Sequence, residues 1–363
     1  MKQRRRIGIL TGGGDCPGLN AVIRATTKTL INDYDAEVFG WLDGFRGMVE
    51  NRYVKLDYQT VSGILTQGGT ILGTSNRADP FHFPLVENDA RQYPDLSAQA
   101  LVNCENLGLE ACVCIGGDGT MSITQKLAEK GLRAVGVPKT IDNDLWGTDL
   151  TFGFDSAMTT ATEAIDKIHS TAQSHHRVMV IEVMGRYAGW LALGSGIASG
   201  GDIILIPEIP YHRDIIFQEV KRRNASGSRF SIVVVGEGAR PVDGERIVHQ
   251  TVEGAPDPIR LGGVGQVLGA AIEKHTGIET RVIVLGHLLR GGVPTPFDRL
   301  LATRFGVTAA RQIATLHDGV MVALKGNRIE TIPLKEVAGK VRTVPTDDPL
   351  LKIAHSVGTC LGR

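Results

Sequence analysis

The sequence predicts an α/β protein: two doubly wound domains with mostly parallel sheets. Three observations predict it. Short runs rich in Val, Ile and Leu alternate with longer stretches of helical pattern along nearly all of the 363 residues. The apolar runs are near-continuous, as expected of parallel strands covered on both faces. The 45 glycines gather where those runs end and keep no fixed period, so they read as loops that approach a ligand closely, not as collagen or a linker.

In chain order, strands are expected over residues 7–11, 37–42, 111–115, 134–137, 178–183, 203–206, 230–235, 281–285 and 320–324. Helices are expected between many of them, over 18–32, 97–107, 121–130, 155–172, 215–223, 263–275 and 297–314. Phosphate-type loops dominate the first half, whereas arginines and a histidine dominate the functional-looking positions of the second. That asymmetry predicts a donor domain and an acceptor domain facing each other across a cleft.

Bulk properties exclude several classes. Lys plus Arg and Asp plus Glu both number 39, so the formal net charge is zero and no global field favours nucleic acid or an anionic membrane. The apolar stretch after Arg4-Arg5-Arg6 is too brief for a signal or membrane-spanning segment, and a cytoplasmic protein is expected. The five cysteines form no CxxC pair and read as reduced thiols, with Cys112 and Cys114 on a buried strand.

The most informative stretch runs from Gly116 to Asp144. It opens with Gly116-Gly117-Asp118-Gly119-Thr120 after one strand and closes with Pro138-Lys139-Thr140-Ile141-Asp142-Asn143-Asp144 after the next. Consecutive parallel strands release both segments at one sheet edge. Bare backbone N–H groups there suit phosphate oxygens, carboxylates suit a metal and a proton, and a lysine spreads charge: the requirements of phosphoryl transfer. Asp118 is placed for Mg²⁺, its bland alternative being a helix N-cap. Asp142 and Asp144, two apart in an extended loop, point the same way, one as base and the other toward metal or water. The loop Gly12-Gly13-Gly14-Asp15 also follows a strand and opens a helix, where anions meet N–H groups, yet it fits neither a dinucleotide fingerprint nor a Walker loop. Met184-Gly185-Arg186, Glu237, Arg281 and His287-Leu288-Leu289-Arg290 stand at further strand ends, and scattered arginines suit a sugar phosphate.

Together these motifs resemble the 6-phosphofructokinase family, over nearly the whole chain and in order. They include Gly68-Gly69-Thr70-Ile71-Leu72-Gly73, Gly153-Phe154-Asp155, Ser174-His175-His176-Arg177 and Glu279-Thr280-Arg281 as well as those above. The resemblance implies transfer of a terminal phosphoryl group to the C1 hydroxyl of fructose 6-phosphate with Mg²⁺. It implies Asp142 as base, Asp118 as metal ligand and Asp144 as a second acid near the metal. Arg186 and Thr140 fall among the catalytic positions. Gly13, Arg77 and Gly116, Gly117, Asp118, Gly119 and Thr120 fall at the nucleotide. Thr140, Met184, Gly185, Arg186, Glu237 and His287 fall at the sugar, with Arg177, Arg281 and Arg290 on its phosphate. In the family Arg177 and Arg281 reach a neighbouring subunit's site, which implies a homodimer or homotetramer with shared active sites. The expected donor domain is 1–153 plus about 289–339; the sugar domain is 154–288 plus about 340–363.

Two positions bear on the donor. Gly119 is the glycine of ATP users, where a carboxylate would repel the α-phosphate, whereas Lys139 is the lysine of pyrophosphate users. ATP is expected, with pyrophosphate as the alternative. Lys28, His169, Asp202 and Ala225 to Ser228 depart from the family's effector site, so its regulation is not implied. A catalytically silent sensor and a kinase for another sugar phosphate, such as sedoheptulose 7-phosphate, complete the alternatives; retention of Asp118, Asp142, Asp144 and Arg186 together argues against the sensor.

Overall fold

A computed structural model describes residues 4–87, 90–252, 258–315 and 317–363. Its main framework is two parallel sheets. The larger has seven strands, in the order Arg328–Pro333, Val320–Lys325, Ala134–Pro138, Ala111–Gly116, Arg6–Thr11, Glu37–Trp41 and Tyr53–Leu56. Its five inner strands run parallel, and an antiparallel strand closes each edge. The smaller sheet orders Thr280–Val284, Val178–Val183, Ser231–Gly236 and Ile203–Leu205, all parallel. Each position of Ala111–Gly116, Val178–Val183 and Ser231–Gly236 is buried, which explains why these strands carry unbroken apolar runs.

The expected elements form, with end shifts of one to three residues. The edge strands Tyr53–Leu56 and Arg328–Pro333 were not expected, because half-exposed edges carry little apolar signal. Trp190–Ala198 and Pro349–Ser356 are further helices. The five cysteines are free, and Cys112 and Cys114 are buried as expected. No described helix is long and apolar enough to cross a membrane.

Strand order fixes where a ligand meets the sheets. In the larger sheet the chain leaves Arg6–Thr11 toward one edge and later returns on its other side at Ala111–Gly116. In the smaller sheet it leaves Val178–Val183 toward Ile203–Leu205 and returns on the opposite side at Thr280–Val284. Each reversal opens a crevice at the strands' carboxyl ends. The loops after Thr11, Gly116 and Pro138 flank the first crevice; those after Val183 and Val284 flank the second.

Glu182, two residues before the Met184-Gly185-Arg186 motif, has a structural role. It is buried, and its two carboxyl oxygens accept from the backbone N–H groups of Gly263 at 2.9 Å and Gly265 at 2.7 Å. It thereby satisfies the otherwise open start of the helix Val264–Thr276. Glu182→Ala should therefore lower unfolding stability by about 2 kcal/mol, with Glu182→Gln losing less, as read from urea denaturation midpoints.

Candidate functional site

The first loop is held from three sides. Gly12 N–H donates to Ile115 O at 2.8 Å, Gly13 N–H donates to Ser75 O at 3.2 Å, and Thr74 Oγ1 donates to Gly13 O at 2.6 Å. The segment expected to deliver Arg77 thus lies beside the glycine loop, with the Arg77 side chain exposed. Beneath both glycine loops sits Thr120, whose Oγ1 would be 2.2 Å from a Cβ at Gly116 and 2.6 Å from one at Gly12. Neither glycine has room for a side chain while Thr120 stays there.

Helix Asp118–Glu129 begins earlier than expected, and its N-cap is Gly117. Asp118 is therefore not the N-cap that its bland alternative required; it stands in the first helical turn, partly exposed. Gly117 and Gly119 flank it on the same partly exposed surface.

Lys139 ties the two loops together. Its backbone N–H donates to Gly116 O at 2.9 Å, and its ammonium donates to Gly14 O. The side chain is buried, which pushes its pKa down, while the carboxyls of Asp142 and Asp118 oppose that shift.

The loop after Lys139 does not run extended as expected. Asn143 adopts a left-handed conformation, φ +51°, and its Oδ1 accepts from Thr151 N–H at 3.1 Å. The chain turns there, and Asp142 and Asp144 still lie close enough to perturb each other. Thr140 Oγ1 accepts from Asp142 N–H at 3.0 Å. Burial raises the Asp142 carboxyl above the usual range against the opposing charges of Arg290, Arg186 and Lys139. Its Oδ1 is buried and meets no hydrogen-bond partner among the described residues. Burial, with Asp142 and Asp118 adding to it, carries Asp144 up to about 7.

The second crevice supplies the facing groups. Met184, partly buried, begins a turn in which Gly185 has φ +145° and a Cβ would stand 2.6 Å from Ala188 O, so only glycine fits. Arg186 follows with φ +48°, and its N–H donates to Glu237 Oε1 at 2.9 Å. Burial, reinforced by Asp142, raises Glu237 to about 7. The short turn Gly286–Arg290 brings Arg290 onto the first loop, where its guanidinium donates to Asp15 O at 3.1 Å. His287, on the same turn, is exposed.

Arg177 and Arg281 are not brought here. Both engage Glu279: Arg177 Nε donates to it at 2.6 Å, and Arg281 pairs with its other oxygen. They sit at the amino ends of Val178–Val183 and Thr280–Val284, whereas Arg186 and Arg290 follow the carboxyl ends of the same strands. One strand of six residues separates the two edges by about 17 Å.

Sequence reasoning missed three supports of this site. The Glu208 carboxyl accepts from Gly189 N–H at 2.9 Å and Val344 N–H at 2.7 Å, the Arg342 guanidinium donates to Asn143 O at 3.2 Å, and Trp190 Nε1 donates to Arg342 O at 3.1 Å. Most of these partners are remote in the chain, and none of the three carries a local motif. The donor set has two carboxyls near enough to influence each other, Asp118 and Asp144, and a glycine-lined edge, which fits a hard divalent cation that takes further oxygens from substrate phosphates. No group of three or more His, Cys, Asp or Glu capable of holding a metal by itself occurs among the described residues.

Residues 6–313 match the protein family described as Phosphofructokinase. A protein of Clostridium perfringens named ATP-dependent 6-phosphofructokinase 2 is 49% identical over 99% of this chain and 98% of its own. A protein of Spirochaeta thermophila named ATP-dependent 6-phosphofructokinase is also 49% identical, with 99% and 98% covered. Among solved structures, Pichia pastoris phosphofructokinase in the T-state aligns at 34% identity with a TM-score of 0.78, taking in 93% of this chain and 36% of that one. The pyrophosphate-dependent phosphofructokinase of Marinobacter aquaeolei aligns with a TM-score of 0.78 over 98% and 88% of the two chains, but at 20% identity it shares the fold alone. Fold and relatives agree, and the chain belongs to the phosphofructokinase family.

Proposed function

We propose that the chain is an ATP-dependent 6-phosphofructokinase, moving the terminal phosphoryl group of ATP to the C1 hydroxyl of fructose 6-phosphate to give fructose 1,6-bisphosphate in glycolysis. The observation that carries this reading is that groups from both crevices meet at the first loop: the Lys139 ammonium donates to Gly14 O and the Arg290 guanidinium to Asp15 O at 3.1 Å, and both cations, with Arg186, favour the charged form of Asp142. Asp142 takes the C1 proton; the residue is partly exposed, and its buried Oδ1 meets no partner among the described residues. The loops of Gly13 and Gly116 to Gly119 receive the nucleotide phosphates, with Arg77 beside them. Arg186 meets the charge that develops on the transferring group, and its turn is anchored through Glu237. Asp118 and Asp144 would hold Mg²⁺, which neutralises phosphate charge when bound. Met184, Gly185, Thr140, Glu237, His287 and Arg290 form the sugar side.

The two sheets support the division into a donor domain, 1–153 plus about 289–339, and a sugar domain, 154–288 plus about 340–363. Arg177 and Arg281 lie at the far edge of the sugar sheet, a position suited to serving another subunit's site. Val284, Leu288, Val293, Phe297 and Leu300 are exposed apolar residues close together in the chain and suit a subunit contact. We therefore read a homodimer or homotetramer with shared active sites, acting in the cytoplasm.

Asp142→Ser is expected to cut kcat by roughly 10²-fold or more in a coupled assay with fructose 6-phosphate and ATP, with the circular dichroism spectrum unchanged. Near-normal turnover would remove Asp142 as the base, and activity only with pyrophosphate would overturn the donor assignment. Gly119→Asp is expected to lower kcat/KM for ATP by about 10²-fold while pyrophosphate use stays the same or improves, because the new carboxylate faces the α-phosphate. Refolding Asp142→Ser and Arg281→Ala protomers together should restore activity above either parent, since about half of randomly formed dimers are hybrids and one of the two sites in each hybrid carries neither defect, roughly a quarter of all sites. No recovery in verified hybrids would place Arg281 outside the shared site.

A further inference from the structure

The chain crosses from the larger sheet to the smaller one a last time after the short helix Leu334–Val337. This crossing lies directly behind the loop that carries Asp142. Val341 pairs with Leu145 in an antiparallel bridge, and Arg342 N–H donates to Asp144 O at 2.7 Å. The Arg342 guanidinium donates to Asn143 O at 3.2 Å and stacks on the Trp190 ring, 4.2 Å from its centre. The indole returns the contact, with Trp190 Nε1 donating to Arg342 O at 3.1 Å. Two residues on, Val344 N–H donates to Glu208 Oε1 at 2.7 Å, and the same carboxyl accepts from Gly189 N–H at 2.9 Å. Gly189 and Trp190 open the helix that follows the Arg186 turn.

Both ends of this arrangement are strained. Asn143 and Arg186 are non-glycine residues with positive φ, so neither loop rests in a relaxed backbone state. Arg342 has the means to hold one against the other. Its planar guanidinium meets a carbonyl on one side and an aromatic face on the other, which a flexible ammonium reproduces only in part.

We propose that Arg342 is a positioning residue for phosphoryl transfer, clamping the backbone of Asn143 and Asp144 to the Trp190 helix and so fixing Asp142 relative to Arg186. The proposal rests on the reading of Asp142 as base and Arg186 as charge stabiliser. Arg342 acts only through them.

The test is a double-mutant cycle read in kcat per folded molecule. Arg342→Met is expected to lower kcat by about 10- to 100-fold, with KM for ATP and fructose 6-phosphate within about threefold, because misplacing a reacting group costs rate more than binding. Arg342→Lys should recover at least about a third of the native kcat. In an Asp142→Ser background, Arg342→Met should cost less than about threefold more, since the group it positions is gone. Should Arg342→Met fail to fold, Trp190→Phe keeps an aromatic face but removes the indole N–H and part of the ring on which Arg342 stacks, and a three- to tenfold loss of kcat at unchanged KM is expected. A lowered melting temperature with native kcat per folded molecule would make Arg342 a purely structural residue and overturn the proposal. So would losses that multiply fully in the double mutant. If Asp142→Ser alone turns over normally, the assignment of the base fails, and the clamp falls with its target.

Discussion

The ammonium of Lys139, buried and bonded to the Gly14 carbonyl, is the contact on which the rest of the site depends. The residue stands at the end of an inner strand, where its backbone N–H also meets Gly116 O. One residue therefore sets the spacing of both glycine loops. Burying that charge is costly, and the cost is offset only by what surrounds it. The carboxyls of Asp142 and Asp118 favour the charged lysine, and Arg290 opposes it. The same balance acts on Asp142, whose burial favours the protonated acid while Arg290, Arg186 and Lys139 favour the anion. Neither charge can be removed without shifting the other, and a phosphate entering between them meets cations already held in place.

That arrangement requires two topological reversals to face each other. A crevice in the larger sheet supplies Gly12 to Asp15, Gly116 to Gly119 and Asp142; a crevice in the smaller supplies Arg186, Glu237 and Arg290. The link is direct, since the Arg290 guanidinium lies on the backbone of the first loop. Non-glycine residues with positive φ stand on both sides, Asn143 on one and Arg186 on the other. Each is fixed by a side chain outside its own loop or by a partner strand's carboxyl, as strained backbone at a reacting centre requires.

What was legible in the sequence follows from how local each signal is. The glycine loops and Asp142 stand next to strong apolar strands, so strand, loop and chemistry were read together. Arg186 was legible for the same reason. The start of the Asp118 helix was not, because Gly117 gives no side-chain cap to read. The turn at Asn143 was also hidden, since its left-handed backbone depends on Thr151 eight residues on. The supports behind the site lie further off. Arg342 meets Asn143 across 199 residues of chain and Trp190 across 152, and Val344 meets Glu208 across 136. No periodicity or spacing rule reaches that far. Glu182 illustrates the converse: its place beside a functional-looking motif says nothing of the helix start 81 residues away that it satisfies.

The geometry also bears on the mixed pattern at the donor positions. A lysine at position 139 looks, from sequence, like a device for holding a small phosphate after transfer. In the fold, one of its three donors is committed to Gly14 O, and its backbone is committed to Gly116 O. Lys139 thus has a scaffold duty that any donor would need, and the charge left over serves a nucleotide phosphate as well as pyrophosphate. Gly119 has no such second duty. It lies in the first turn of its helix beside Asp118, partly exposed, where a carboxylate would add negative charge next to the entering phosphates. Of the two positions, 119 is the one where a carboxylate would exclude the nucleotide and a glycine admits it, and a repulsive element present or absent discriminates more sharply than an attractive one shared by both.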